Sequence, residues 1–148
     1  MELVRAASLT GYFAVAEELG LNTPRLLRNA GLSRSSMSNP EQMLPARAVV
    51  DLLESSAAAS GCLTLGLRMA DRRQLSDIGM VSLLIVHQPT LGEALDVLSE
   101  YRNRINSNLT LQIERHEGDV FLREHFALTP PIYTRQVSDL ALAVLYKT

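Results

Sequence analysis

The sequence predicts an α+β fold: a mostly helical N-terminal part, a small antiparallel β-hairpin and a closing C-terminal helix. Helical patterns interrupted by glycine and proline fill most of residues 8–106. The spacing of apolar residues then changes from about 3.6 to about 2 between residues 108 and 128, which indicates two strands. A further apolar helical pattern follows Pro130 and Pro131. Because an isolated hairpin is only marginally stable, we expect it to pack on the helices.

The composition is typical of a globular protein, and we expect residues 1–148 to form one domain. The chain has 148 residues, of which 47% are hydrophobic and 20% charged. Tryptophan is absent and aromatic residues are few, so the core must consist mainly of Leu, Val, Ile and Ala. No apolar run reaches the ~18 residues of a membrane-spanning helix, and the N-terminus lacks a signal-peptide pattern. A cytoplasmic location is therefore expected.

The charge distribution argues against a chain that binds nucleic acid by itself. Its net charge is −2, the arginines are spread along the sequence, and lysine occurs once. A domain that binds DNA or RNA alone usually carries clustered basic residues. The single cysteine, Cys62, cannot form an intrachain disulfide, which agrees with a reducing compartment.

Four helical segments are predicted before residue 74. Most begin at a capping residue or proline and end at glycine, the usual signs of helix boundaries. The first could begin at a Ser8 cap, the second has Thr23 as its cap, and Gly66 weakens the fourth. The four segments cover residues 8–20, 23–31, 45–60 and 63–73.

Two helices of different character are predicted around Pro89. The segment 78–87 is apolar nearly all round, so we expect it to be buried on most sides. Thr90 and Glu93 have the spacing of a capping box, in which each side chain bonds the other residue's amide. The helix that follows, 91–105, is amphipathic.

The hairpin places one carboxylate on its apolar face. Alternation puts seven apolar residues on the same side of the two strands: Leu109, Leu111, Ile113, Val120, Leu122, Phe126 and Leu128. Glu124 shares their period, so we expect its side chain to point inward. A carboxylate in that place must be paired, protonated or directed into a cavity.

Arg102 raises a similar question, because it occupies a position of the apolar stripe of helix 91–105. One interpretation is that Arg102 and Glu124 lie at the rim of the core and pair with each other. A second is that they mark a polar opening in an apolar pocket, with Tyr101 beside it, an arrangement that suits a small ligand. The candidate ligand-binding residues are therefore Tyr101, Arg102 and Glu124.

No catalytic or metal-binding motif is evident, so we expect neither an enzyme nor a cofactor. The sequence has no glycine-rich phosphate loop, no nucleophile elbow and no zinc-ligand spacing. None of its three histidines lies three to five residues from another His or Cys. Arg72 and Arg73 form a tight basic pair. A solvated loop is the expected place for this pair, with an anion site as the alternative.

Three stretches resemble the N-terminal effector-sensing domain of AraC-type transcription regulators, in the arabinose-binding-like subgroup exemplified by ornithine-utilisation regulators. They are ASLTGYFAVAEELGLNTPRLLRNAGL, LPARAVVDLLESSAAASG and LGLRMADRRQLSDIGMVSLLIVHQPTLGEALDVLSEY, the last being the most diagnostic. The resemblance implies a homodimer that senses a small-molecule effector of unknown class, an amino acid being one candidate. It also implies that helix-turn-helix motifs beyond Thr148 contact DNA, and that the chain is a fragment of a longer regulator.

Two other hypotheses stay open from the sequence. The first is a pure dimerisation module without a ligand, which would have a filled core and a large apolar surface. The second is a haem or gas sensor, which has less support because haem needs an axial ligand and helix 91–105 contains no histidine.

Overall fold

The computed structural model describes residues 1–147 and confirms the α+β class. In this range the chain forms seven α-helices and two antiparallel sheets of two strands each. The helices are α1 (Tyr12–Glu18), α2 (Thr23–Asn29), α3 (Ala46–Ser60), α4 (Leu65–Asp71), α5 (Val81–Val86), α6 (Leu91–Ile105) and α7 (Arg135–Lys147). The strands are β1 (Leu3–Arg5), β2 (Met43–Pro45), β3 (Leu109–His116) and β4 (Asp119–Phe126). Short 3-10 helices cover Ala6–Leu9, Ser35–Met37 and Leu75–Ile78.

Local chemistry explains most of the helix boundaries. Gly61 ends α3 in the left-handed conformation, with a φ of 68°. The predicted helix over residues 8–20 is divided, because Gly11 adopts a φ of 86° between the N-terminal 3-10 helix and α1. The prediction of Thr23 as a cap is wrong. Asn22 has that role, since its side-chain oxygen accepts a hydrogen bond of 3.2 Å from the amide of Arg25.

The first sheet was not predicted from the sequence. Strands β1 and β2 have three residues each, and Val4 lies opposite Leu44 in the antiparallel register. An isolated bridge also joins Val4 to Asn106, directly after α6. Strands this short show no alternation that a sequence pattern could reveal. They bring the N-terminus beside the end of α6.

The main core is formed by the 3-10 helix Ala6–Leu9 together with α1, α3, α4 and α7. Its largest fully buried side chains include Tyr12, Leu52, Leu53, Leu65 and Met69. Helices α4 and α7 approach so closely that a Cβ atom added to Gly66 would lie 2.2 Å from a backbone oxygen of α7. The last turn of α7 is also attached to the end of α4. There the Nζ atom of Lys147 donates to the carbonyls of Ala70, Asp71 and Arg73 at 3.0, 3.0 and 3.3 Å.

Helix α5 is much more exposed than its composition indicates. The expectation that segment 78–87 is buried on most sides is wrong, because only one face of α5 packs against α6. Met80, just before the helix, is 85% exposed. The other exposed apolar residues of this segment are Leu83, Leu84 and Val86. A helix of six residues that packs only on α6 and on the 3-10 helix Leu75–Ile78 leaves its other sides exposed.

The hairpin turns at Glu117 and Gly118, which both have positive φ angles of 49° and 95°. Two such residues form the tight turn that suits the twist of an antiparallel pair. The base of the hairpin is packed, with Phe126 buried, but Val120 and Leu122 near the turn are exposed. Their predicted burial is wrong because the strands extend past the helices that cover the base.

Helix α6 matches its predicted bounds, and its first turn has half of the predicted capping box. The Thr90 hydroxyl accepts a hydrogen bond of 3.2 Å from the amide of Glu93. The Glu93 carboxylate accepts a hydrogen bond of 2.7 Å from the Thr90 hydroxyl. The predicted capping box instead had this carboxylate bonded to the Thr90 amide.

Within residues 1–147, no single helix is long and apolar enough to cross a membrane. Two consecutive helices, α3 (Ala46–Ser60) and α4 (Leu65–Asp71), together reach that length and composition, but the chain bends by 108° between them.

Candidate functional site

A cavity of about 120 Å³ lies between α6, the base of the hairpin, α7 and the N-terminal segment. Most of its wall is apolar. Helix α6 contributes Leu98 and Ile105, β3 contributes Leu109 and Leu111, and α7 contributes Leu140, Val144 and Leu145. The amphipathic faces of α6 and α7 therefore do more than fill the core, because they also enclose a space that a small molecule can enter.

Several charged or polar side chains reach this apolar space from different elements. They include Arg5 at the end of β1, Ser8 in the N-terminal 3-10 helix, Arg73 and Asp77 before α5, Arg102 in α6 and Glu124 in β4. Mostly apolar walls with a few convergent polar groups are typical of ligand pockets. The polar groups differ in how well they are already paired.

Glu124 is unpaired. It lies opposite Leu111 in the hairpin register and is half-buried, as its period predicts. Among the described residues it has no hydrogen-bond or ion-pair partner. Burial raises the pKa of the Glu124 carboxyl to about 7. The carboxyl therefore keeps its proton to a higher pH than an ordinary glutamate does.

Arg102 lines the same cavity at its exposed rim. Its Nη1 atom donates to the carbonyl of Ser99 at 3.3 Å, and no ion pair with Glu124 is present in the described part of the chain. The interpretation that these two residues pair with each other is therefore wrong for this structure.

Tyr101 does not line this cavity. It packs in the separate apolar cluster between α5 and α6, and the Arg104 guanidinium lies 5.7 Å from the centre of its ring. Consecutive residues of a helix point about 100° apart, so Tyr101 and Arg102 face different neighbours. The structure brings Arg102 and Glu124 to one cavity and leaves Tyr101 outside it.

Arg73 lines the cavity, although the sequence interpretation gave an anion site at the Arg72–Arg73 pair only as its alternative. The expected solvated loop describes Arg72, which is exposed and forms an ion pair with Glu18, but it is wrong for Arg73. The guanidinium of Arg73 lines the cavity, and its Nη1 atom donates to the Ser8 carbonyl at 2.9 Å. The pKa of Arg73 is lowered, and burial is the largest cause. The nearby charge of Asp77 raises this pKa, and the charge of Arg5 lowers it.

The Nε atom of Arg73 and the hydroxyl of Ser8 are both buried and both without a hydrogen-bond partner in the described chain. Ser8 does not cap a helix as predicted, because it lies inside the 3-10 helix Ala6–Leu9. Each unpaired buried polar group costs about 1–3 kcal/mol. Both residues line the same cavity, and the bond from the Arg73 Nη1 atom to the Ser8 carbonyl joins them.

Arg5, in contrast, is already paired. Its Nη1 atom donates to the Ile78 carbonyl at 2.8 Å, its Nε atom donates to Glu41 at 3.2 Å, and its Nη2 atom forms an ion pair with Glu41. A Cβ atom at Gly79 would lie 2.8 Å from this guanidinium. Arg5 therefore holds the segment before α5 in place and adds positive charge to that side of the cavity.

The described residues contain no group of three or more His, Cys, Asp or Glu side chains that could hold a metal ion.

Glu124→Gln is expected to remove a pH dependence of stability. The native carboxyl titrates near pH 7 and the unfolded one near 4.5, so the native state retains its proton between these values. The free energy of unfolding therefore falls as pH rises through this window and stays lower above it. Because water at the rim screens the charge, we expect a loss of about 2 kcal/mol rather than the value of the full shift.

Urea unfolding near pH 4.5 and near pH 8 measures this effect. Glutamine is neutral at both pH values, so the variant should be the more stable protein at the higher pH. Glu114→Gln is the matched control, since Glu114 lies on the outer face of the same hairpin and pairs with Arg123 at 3.5 Å. The assignment fails if Glu124→Gln retains the pH dependence of the unchanged chain.

Comparison with known families agrees with this architecture. Residues 20–148 match the family described as the arabinose-binding domain of AraC transcription regulators, at their N-terminus. The match covers most of the chain, which therefore belongs to this family of regulator domains.

Similar regulators are known from Mycobacterium tuberculosis. Two proteins named HTH-type transcriptional regulator VirS, from strains CDC 1551 / Oshkosh and ATCC 25618 / H37Rv, are each 27% identical to this chain over 143 residues. The alignments cover 95% of this chain but 42% of each VirS sequence, so the chain spans less than half of these relatives.

Proposed function

We propose that this chain is the small-molecule-sensing domain of a bacterial AraC-type transcription regulator, and that it is not an enzyme. The observation that carries the proposal is the apolar cavity between α6, the hairpin and α7, into which unpaired polar groups project. The unpaired Ser8 hydroxyl, Arg73 Nε–H group and Glu124 carboxyl are poorly explained by packing alone, since buried polar groups in proteins normally have partners.

The proposed mechanism is thermodynamic linkage. An effector that binds one arrangement of α6, the hairpin and α7 more tightly than another shifts the chain toward that arrangement. In the proposed regulator, residues 1–148 form one sensing unit in a cytoplasmic homodimer, and an attached helix-turn-helix domain contacts DNA. The name HTH-type transcriptional regulator borne by the VirS relatives supports the attached domain.

A second candidate function, a dimerisation module without a ligand, is favoured by the exposed apolar residues around α5. Met80, Leu83, Leu84 and Val86 project from this one short segment. Exposed apolar patches of this kind often mark contacts with other proteins. This function requires the apolar surface but gives no role to the cavity.

A cavity-filling variant separates the two functions. Ala141 of α7 lines the cavity, so Ala141→Leu should occupy part of it, whereas Ala58→Leu adds the same side chain to an exposed site on α3. The chain and both variants are screened by thermal shift against amino acids, polyamines, sugars and small carboxylic acids. A ligand at 100 times its Kd should stabilise the chain by about 2.7 kcal/mol.

The sensing function predicts a saturable shift in the chain and in Ala58→Leu that is at least about tenfold weaker in Ala141→Leu, a loss of about 1.4 kcal/mol. A shift that persists undiminished in Ala141→Leu would place the binding site elsewhere. No shift with any compound, together with a tight dimer, would favour the dimerisation module instead.

A further inference from the structure

We infer that the effector is a small, largely apolar monocarboxylate, and that Arg73 and Ser8 bind its carboxylate group. The inference rests on the proposed sensing function and adds the chemical class of the ligand and the residues that recognise it.

The first argument is the pair of unpaired donors. The Arg73 Nε–H group and the Ser8 hydroxyl are both buried and both unpartnered in the described chain, and both residues line the cavity. The bond of 2.9 Å between the Arg73 Nη1 atom and the Ser8 carbonyl holds the two residues side by side. A guanidinium and a hydroxyl can both donate hydrogen bonds to carboxylate oxygens, and those from a guanidinium are charge-assisted.

The second argument is the charge of the lining. Three arginines, Arg5, Arg73 and Arg102, face two acids, Asp77 and Glu124. Glu41 forms an ion pair with Arg5, so the charges balance when Glu124 is ionised. One positive charge is left over when Glu124 keeps the proton that burial favours. A ligand with a single negative charge balances this lining, whereas a polyamine would add to its positive charge.

The third argument is the character and size of the remaining wall. Leu98, Ile105, Leu111, Leu140 and Leu145 surround the space with hydrocarbon, which offers a sugar no partners for its hydroxyl groups. The volume is about 120 Å³. In another protein an apolar cavity of roughly 150 Å³ binds benzene. The body of the ligand should therefore contain about six carbon atoms, by comparison with that cavity.

Binding of three six-carbon probes tests the class of the ligand. Hexanoate has the carboxylate and an apolar chain, hexanamide lacks the charge, and 6-aminohexanoate adds an ammonium group at the apolar end. Isothermal titration near pH 7 should show hexanoate binding at least about tenfold more tightly than either other probe, because hydrogen bonds to a charged group are the stronger ones.

Side-chain variants test the assigned residues. Arg73→Gln should weaken hexanoate binding by about tenfold or more, and Ser8→Ala by about fivefold. Arg72→Gln is the matched control, because Arg72 is the adjacent arginine but is exposed and pairs with Glu18; its effect should stay within about twofold. Circular dichroism checks that each variant folds, and Ser8→Ala is the mild change that keeps the test decisive if Arg73→Gln does not fold.

The outcomes separate this inference from the function on which it rests. Equal affinity for hexanoate and hexanamide, tighter binding of 6-aminohexanoate, or equal losses in Arg72→Gln and Arg73→Gln would each overturn the carboxylate assignment. If no carboxylate binds but another compound gives a shift that Ala141→Leu removes, the inference fails and the sensing function stands. If no compound of either panel binds, both fail.

Discussion

Gly66→Ala is expected to destabilise the chain by about 3 kcal/mol, near the upper end of the usual cost of overpacking. A Cβ atom at this position would lie 2.2 Å from the backbone oxygen of Gln136, 3.1 Å from its carbonyl carbon and 3.2 Å from the amide nitrogen of Leu140. These are backbone atoms of α7 and cannot rotate away, so α4 and α7 would have to separate.

Urea unfolding of the variant measures this loss, and Gly92→Ala supplies the control. Gly92 lies in α6, where the nearest atom to an added Cβ is 3.7 Å away, at the end of the Arg115 side chain. Alanine is the better helix former, so Gly92→Ala should be neutral or stabilising by about 0.5 kcal/mol. If the two variants unfold at the same urea concentration, the close contact between α4 and α7 is incorrect.

The second large effect is expected for Gln136→Leu, which should cost about 3 kcal/mol because it leaves one buried amide and one partly buried carbonyl unpaired. Gln136 is 2% exposed. Its Oε1 atom accepts a hydrogen bond of 2.9 Å from the amide of Gly66, and its Nε2 atom donates to the Leu63 carbonyl at 3.1 Å. The side chain thus satisfies an otherwise unpaired amide in the first turn of α4.

Leucine has a similar volume and no hydrogen-bonding group, so the loss reports on the two bonds rather than on packing. Gln112→Leu is the control, since Gln112 is exposed on the outer face of the hairpin. Its free energy of unfolding should change by no more than about 0.5 kcal/mol. A change of similar size in both variants would mean that the bonds of Gln136 contribute little.

Both changes also concern the proposed site, because α7 is one wall of the cavity. Val137, Leu140 and Ala141 line the cavity on the same helix that Gly66 and Gln136 seat against α4. A movement of α7 away from α4 would therefore alter the shape of the cavity as well as the stability of the chain.

The longer helices could be predicted because their ends carry strong local chemistry. Proline and glycine delimit α3, and Thr90 caps α6, so the predicted bounds agree with the structure to within about a residue, the usual uncertainty of helix ends. Strands β1 and β2 could not be predicted, since three residues are too few to show a period. The exposure of α5 depends on how many neighbours it has, and its own sequence does not contain that information.

One residue of the candidate site, Glu124, could be predicted from the sequence, whereas the meeting of Arg73 and Ser8 could not. Glu124 was found because a period of 2 placed a carboxylate among apolar residues on the inner face. Arg73 and Ser8 are separated by 65 positions in sequence and meet only through tertiary packing. The basic pair Arg72–Arg73 was visible, but its pattern does not tell which of the two arginines is buried.

Arg73 contacts the end of α7 as well as the cavity. Its side chain faces the cavity, while its backbone carbonyl is one of the three acceptors for the Lys147 ammonium group at the end of α7. A carboxylate that draws the Arg73 side chain toward itself would pull on the same residue that fastens the last helical turn. Occupancy of the cavity and the position of the last turn of α7 would then be coupled through Arg73.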